Sequence, residues 1–170
     1  MRALYVISQK GFRDEEYLVP KKILEDEGFD VTTASNVGGK CSGALGAKVT
    51  ADIALSDVDP DEFDVLVVAG GPGTPQHLWP NTDLQEIVKQ MNSKQKIVAA
   101  ICLAPVVLAR AGILRGRKAA VYESPDSIVE MEKGHAIHVS EDVVVDDNLI
   151  TANGPDSAEK FGLTIVETSS

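Results

Sequence analysis

Apolar positions along the chain fall into two patterns. Leu4 to Ile7, Val65 to Ala69 and Ile97 to Ile101 are continuous apolar runs of strand length, the signature of strands buried on both faces. Val31 to Ala34 and Lys118 to Val121 add shorter extended segments, and Val143 to Ala152 reads as an antiparallel hairpin turning at Asp147-Asn148. Between these runs the period changes to that of a helix. Val19, Ile23 and Leu24 form a stripe on a segment opened by Asp14 as N-cap and closed by Gly28. Leu84 to Met91 follows an Asn81 or Thr82 cap, and Pro105 to Leu108 runs on to a stop at Gly112. Ser124-Pro125 opens a short helix to Lys133-Gly134, and Gly154-Pro155-Asp156-Ser157 starts a last one through Val166. Ser35 to Gly46, rich in glycine, serine and lysine, is predicted to be a loop. Lys48 to Leu55 is predicted to be a small hairpin around Thr50-Ala51, and Asp57 to Asp64 an acidic connection. Strand–helix alternation with continuous apolar strands predicts a three-layer α/β/α sandwich with a mostly parallel central sheet. Residues 1–170 form one domain in this reading, with the site at the carboxyl ends of the central strands.

Two features fall at such strand ends. Cys102 stands between the strand ending at Ile101 and the helix beginning at Pro105, with alanines at positions 100 and 104. Small residues two positions either side of a nucleophile are what a tight strand-to-helix elbow requires. A thiol placed there stands over a helix N-terminus, where free N–H groups favour a thiolate or an anion. Spacing alone equally allows an inert core cysteine. The strand at Val65 ends in Gly70-Gly71-Pro72-Gly73, where backbone N–H groups can approach a ligand closely, or simply turn. The coincidence of both features at one sheet end favours a reactive Cys102. Pro20 also matters. Inside a helix it has no N–H for the carbonyl of Glu16 and predicts a bend there. Glu15 and Glu16 read either as first-turn acids facing water or as part of that irregularity.

Composition narrows the classes. A formal charge of −10 and a pI near 4.7 exclude a phosphate-backbone partner, so no nucleic acid is expected. No window reaches the length of a membrane span, and the N-terminal run is a strand rather than a signal peptide. Cys41 and Cys102 make no disulfide framework, which points to a reducing cytoplasm. His77, His135 and His138 are scattered, so no metal is expected.

Ala-Ile-Cys-Leu-Ala-Pro followed by Ala-Gly-Ile-Leu-Arg-Gly-Arg-Lys resembles the elbow region of the PfpI/ThiJ superfamily. Glu16 with Pro20, Gly70-Gly71, and Thr151-Ala-Asn-Gly-Pro-Asp-Ser-Ala agree with the same family. The resemblance spans essentially the whole chain. It implies a flavodoxin-like fold, a homodimer or higher homo-oligomer, and no cofactor. It also implies that Cys102 is the nucleophile and that Glu16 lies beside its sulfur, sharing a proton. Such a pair would hold the thiolate at low pKa and steer its oxidation to a sulfinate. The N–H groups of Gly71 and Leu103 would form the oxyanion hole, with Gly70 accessory to it.

The departures from the family pattern bear on function. A histidine follows the cysteine in the PfpI-type proteases, and here that position is Leu103. Their partner glutamate aligns near Gln76, and the histidine of the Parkinson-type branch falls at Tyr122, beside Glu123. His77 is the one nearby substitute. A thiolate can attack an aldehyde without such a base, whereas amide hydrolysis needs an acid for the leaving amine. The resemblance therefore implies a glyoxalase III or deglycase type of hydrolase acting on a small aldehyde or glycated substrate. A redox-sensing or chaperone-like protein with an oxidisable Cys102 is the alternative, and an intracellular cysteine peptidase the third reading.

Overall fold

The computed structural model describes residues 1–170. Its strands are β1 (Arg2–Ile7), β2 (Lys10–Phe12), β3 (Asp30–Ser35), β4 (Gly39–Gly43), β5 (Lys48–Ala51), β6 (Ile53–Ala54), β7 (Val65–Val68), β8 (Ile97–Ile101), β9 (Lys118–Ala119), β10 (Ile137–His138), β11 (Val143–Asp146) and β12 (Leu149–Ala152). Its helices are α1 (Asp14–Asp26), α2 (Thr74–His77), α3 (Thr82–Ser93), α4 (Pro105–Arg110), α5 (Pro125–Lys133) and α6 (Ala158–Ser169). A seven-stranded sheet in the order β11-β12-β8-β7-β1-β3-β6 forms the middle layer. Every pairing in it is parallel except the β11–β12 hairpin.

The pleat divides each central strand between two cores. Leu4, Val6, Leu66, Val68, Val98 and Ala100 face one cluster, which takes Leu84, Ile87 and Met91 from α3 and Val106 to Ala109 from α4. Tyr5, Ile7, Val65, Val67, Ala99 and Ile101 face the other, with Tyr17 and Leu24 from α1 and Phe161 and Ile165 from α6. The continuous apolar runs are thus buried on both sides, as their composition requires. The fold class is the three-layer sandwich expected from the alternation, of the flavodoxin-like kind that the resemblance implies.

Local expectations fail at four places. The Ser35–Gly46 segment is not all loop: Gly39–Gly43 is a strand. It pairs antiparallel with Lys48–Ala51, so the hairpin turns at Ala44–Ala47 and not at Thr50-Ala51. Ile53–Ala54 instead joins the main sheet, parallel to β3. Lys118–Val121 shortens to Lys118–Ala119, which pairs with Ile137–His138 in a separate two-stranded sheet. Asp14 is the first helical residue and Arg13 the N-cap, without a side-chain cap.

Asp14 has a different task. Its Oδ1 accepts the N–H of Leu45 at 2.9 Å and its Oδ2 that of Ala47 at 2.8 Å, anchoring the β4–β5 turn on the start of α1. A β-carbon on Gly43 would stand 2.3 Å from Asp14 Oδ1, so glycine is required there. Each charge-assisted bond of this kind contributes about 1.5–3 kcal/mol. Asp14→Ala is expected to lower stability by about 2–4 kcal/mol and to speed amide exchange at Leu45 and Ala47 selectively. Exchange that rises uniformly across the chain would contradict the local anchoring role.

Candidate functional site

Three chain segments converge at the carboxyl end of the sheet: the start of α1, the turn after β7 and the elbow after β8. Their approach is set by backbone. Gly70 gives its carbonyl to the Arg13 N–H at 2.9 Å and its own N–H to Glu16 Oε1 at 3.1 Å. A β-carbon on Gly70 would lie 2.6 Å from Cys102 Cβ and 2.9 Å from Glu16 Oε1. One on Gly71, whose φ is +123°, would lie 2.3 Å from the Arg13 nitrogen. Both glycines are therefore needed for contact, not merely for turning.

Cys102 adopts φ +65°, a left-handed conformation that costs a non-glycine residue about 1–2 kcal/mol. Hydrogen bonds on either side of it hold that geometry. The Cys102 N–H donates to the Ala152 carbonyl at 2.9 Å, and the Cys102 carbonyl accepts from Tyr122 N–H at 2.8 Å. Trp79 Nε1 donates to the Leu103 carbonyl at 2.8 Å, fixing the next peptide. Ala100 and Ala104 are fully buried, consistent with the demand for small flanking residues.

Glu16 is fully buried beside the thiol. Its backbone carbonyl, freed by Pro20 inside α1, accepts the Tyr5 hydroxyl, so the missing helix bond is replaced. Gly70 N–H satisfies one carboxyl oxygen, while Oε2 has no nitrogen or oxygen partner, leaving the thiol as the remaining polar group against the carboxyl. Burial raises the Glu16 pKa to about 7, offset by the Cys102 and Gly70 contacts and by the Arg13 charge. Burial first, and then the neighbouring Glu16 charge, also push the Cys102 thiol well up; the N–H groups of Gly71 and Leu103 on the sulfur pull the other way. Both of the raising effects run against the low-pKa thiolate that the resemblance implies. With Glu16 ionised the thiol keeps its proton, because two buried negative charges in contact are too costly.

The sulfur, 6% exposed as a residue, lies on the floor of a cavity of about 320 Å³ lined by Arg13, Gly71, Pro72, Cys102, Leu103, Tyr122 and Pro155. Cys102, Glu16, Gly70, Gly71, Leu103 and Tyr122 are thus brought together. Gln76 and His77 are not: they line a neighbouring cavity with Gln9, Lys10 and Gly73. No histidine lines the Cys102 cavity, and His138 pairs with Glu123 at 3.3 Å. Arg13 is the one charged side chain at the mouth, engaged side-on by Glu15 at 3.0 Å. The sequence reading assigned no role to it or to Trp79. Both are recognisable only once distant segments are folded together.

This arrangement is a tight strand-to-helix elbow that sets a cysteine against a buried acid on a flavodoxin-like sheet. Comparisons place it: residues 1–168 match the model of the DJ-1/PfpI family, and the chain belongs to that family. It is 48% identical over 166 residues to an uncharacterized protein of Methanocaldococcus jannaschii, covering 98% of this chain and 81% of that protein. Identity to a deglycase of Pyrococcus abyssi is 39% over 155 residues, 91% of each chain. A relative from Caenorhabditis elegans named glutathione-independent glyoxalase is 31% identical over 166 residues, 98% of this chain and 87% of that one. Among solved structures, a ThiJ/PfpI domain protein of Brachyspira murdochii superposes with a TM-score of 0.93 at 36% identity, covering 99% of this chain and 95% of that one.

The raised Glu16 pKa has a consequence for stability. The folded state binds this proton more tightly than the unfolded chain. Its stabilising effect is therefore full below about pH 4.5, declines through the interval up to about 7, and is absent above it. Keeping the carboxylate ionised inside the fold costs about 3 kcal/mol. Glu16→Gln, which mimics the protonated form, should exceed the wild type by about that amount at pH 8 and match it near pH 4 in urea unfolding. A stability difference independent of pH would refute the assignment.

Proposed function

We propose that the chain is a cysteine-dependent enzyme acting on small reactive aldehydes, with glyoxalase III or deglycase chemistry at Cys102. The observation carrying this reading is the buried Glu16 carboxyl set against the Cys102 thiol at the floor of a small cavity. The names of the deglycase and glyoxalase relatives support it.

With a 2-oxoaldehyde such as methylglyoxal, the sulfur bonds to the aldehyde carbon as the thiol proton moves to the Glu16 carboxylate. The carbonyl π electrons pass to oxygen, which the N–H groups of Gly71 and Leu103 can meet, and Glu16 returns the proton to that oxygen. The restored carboxylate then takes the C1 proton of the hemithioacetal, giving an enediolate, and delivers it to C2 while the C1 hydroxyl proton passes to the C2 oxygen. Carbon 1 is oxidised and carbon 2 reduced within one molecule, leaving a lactoyl thioester. Water cleaves this to lactate and regenerates the thiol, so no external oxidant is used. A pKa near 7 suits Glu16 to both directions of transfer. The early adduct of such an aldehyde with an amine, a hemiaminal, would enter the same path once its hydroxyl proton passes to the departing nitrogen, the amine leaves and the aldehyde carbonyl re-forms.

Peptide hydrolysis is disfavoured because no histidine lines the cavity, and besides this one carboxyl only the exposed Tyr122 hydroxyl could protonate a leaving amine. The absence of a histidine from the lining also favours a second reading, in which Cys102 is oxidised with little turnover.

Lactate release from methylglyoxal separates these readings. The wild type is expected to produce lactate, Cys102→Ser only the uncatalysed background, and Glu16→Gln about 10²–10⁴-fold less than wild type. The attacking form has lost one proton from the pair. Below about pH 7 kcat/KM should therefore fall about tenfold per pH unit, with a plateau above. Equal background from wild type and Cys102→Ser would eliminate the enzyme. In that case mild peroxide should add two oxygens to Cys102 and none to Cys41 by mass spectrometry, an addition lost in Glu16→Leu.

A further inference from the structure

A third cavity, of about 530 Å³, lies on the small sheet β2-β4-β5 and is lined by Gln9, Lys10, Lys40, Cys41, Ser42, Lys48, Val49 and Thr50. Register explains its character. Lys10 aligns with Ser42 and Ser42 with Lys48, making one row across three strands; Lys40 aligns with Thr50 in the next row. Cys41 and Ala51, at the alternate positions of β4 and β5, turn inward to the core, and a register shift between Lys10 and Phe12 lets Phe12 do the same, so the polar set shares the outer face. Strand spacing puts the backbones of Lys10 and Lys48 about 10 Å apart, with Lys40 beside them, within converging reach of their side chains.

The charge of this face is unusual for the molecule. The chain carries −10 overall, yet no acidic residue lines the cavity. None of the three lysines forms an ion pair, although lysines elsewhere do, at Glu25, Asp26, Asp61 and Glu130. Three unneutralised ammonium groups side by side repel one another and attract a compact multivalent anion. Lysine heads act as mobile point charges, which suits tetrahedral phosphate better than a planar carboxylate. The hydroxyls of Ser42 and Thr50 and the amide of Gln9 add neutral donors. No aromatic side chain lines the cavity to stack on a base, and the chain's net charge of −10 repels long nucleic acid.

We propose that this face binds a small, multiply charged phosphate compound, a di- or triphosphate or its ester, through Lys10, Lys40 and Lys48. The site is separate from Cys102 and does not rest on the aldehyde chemistry. Inorganic tripolyphosphate titrated calorimetrically into the full chain at about 50 mM salt should show one saturable site. Affinity should fall at least tenfold in the K10Q/K40Q/K48Q variant and fall steeply with added salt. It should be unchanged in Cys102→Ser and in a control with the same loss of charge elsewhere, K89Q/K94Q/K133Q. Circular dichroism and the melting temperature report whether the lysine variants stay folded. Absence of saturable binding by the wild type, or equal loss in both triple variants, overturns the proposal. So does binding to phosphatidylserine vesicles without tripolyphosphate binding, which would make the face a membrane contact. A change of oligomeric mass in the groove variant without any effect on tripolyphosphate would make it a contact between copies of this chain.

Discussion

The structure depends on how closely the start of α1 can approach the turn after β7. Gly70 is held by two bonds to that helix start, one through its carbonyl to Arg13 and one through its N–H to Glu16. No side chain fits at Gly70 or Gly71, because backbone and the Cys102 β-carbon occupy the space. This closeness delivers a carboxyl from one end of the chain to a thiol from its middle, with water excluded. A looser approach would hydrate Glu16 and return it to an ordinary surface acid.

Burial then makes the pair chemically useful at a cost to stability. A carboxyl in water would be ionised throughout the physiological range and have no proton to give. Desolvation brings it to about 7, where both forms are populated. The same desolvation, with the Glu16 charge, keeps the thiol protonated. Strain at Cys102 adds to that cost, and the bonds from Tyr122, Trp79 and Cys102 to their backbone partners are what the fold sets against it. Pro20 fits the same pattern: by withholding an N–H it frees the Glu16 carbonyl for Tyr5, tying the acid's own backbone into the core.

Much of this was legible in the chain because it is written in local signals. Continuous apolar runs marked the central strands, and Asn81 and Ser124 cap α3 and α5 through their side chains. Cys102 and Gly70-Gly71 could be assigned to strand ends from spacing, and Glu16 from the family pattern with Pro20. Where prediction failed, the deciding interaction was long-range. Gly39–Gly43 has little strand propensity and becomes one by pairing with Lys48–Ala51 and Lys10–Phe12. Asp14 looked like a cap because the carboxyl's true partners lie more than thirty residues on. Gln76 and His77 were close to the glycine turn in sequence, but α2 carries them into the adjoining cavity.

Membership of a family fixes the scaffold more firmly than the reaction, since chemistry resides in the groups facing the cavity. Here those groups are one thiol, one carboxyl, the exposed Tyr122 hydroxyl, two backbone donors and an arginine already engaged by Glu15. Cleavage of an amide requires the group that activates the attack to hand its proton on to the departing nitrogen, the task a histidine performs in hydrolytic triads, and no histidine lines this cavity. Isomerising a hemithioacetal requires a proton to move between adjacent carbons, a task one carboxyl can perform from a fixed position. The cavity, about 320 Å³, also suits a few-carbon carbonyl better than an extended chain. Number of proton-transfer groups and size of space thus favour the same substrate class, and neither depends on the names of the relatives.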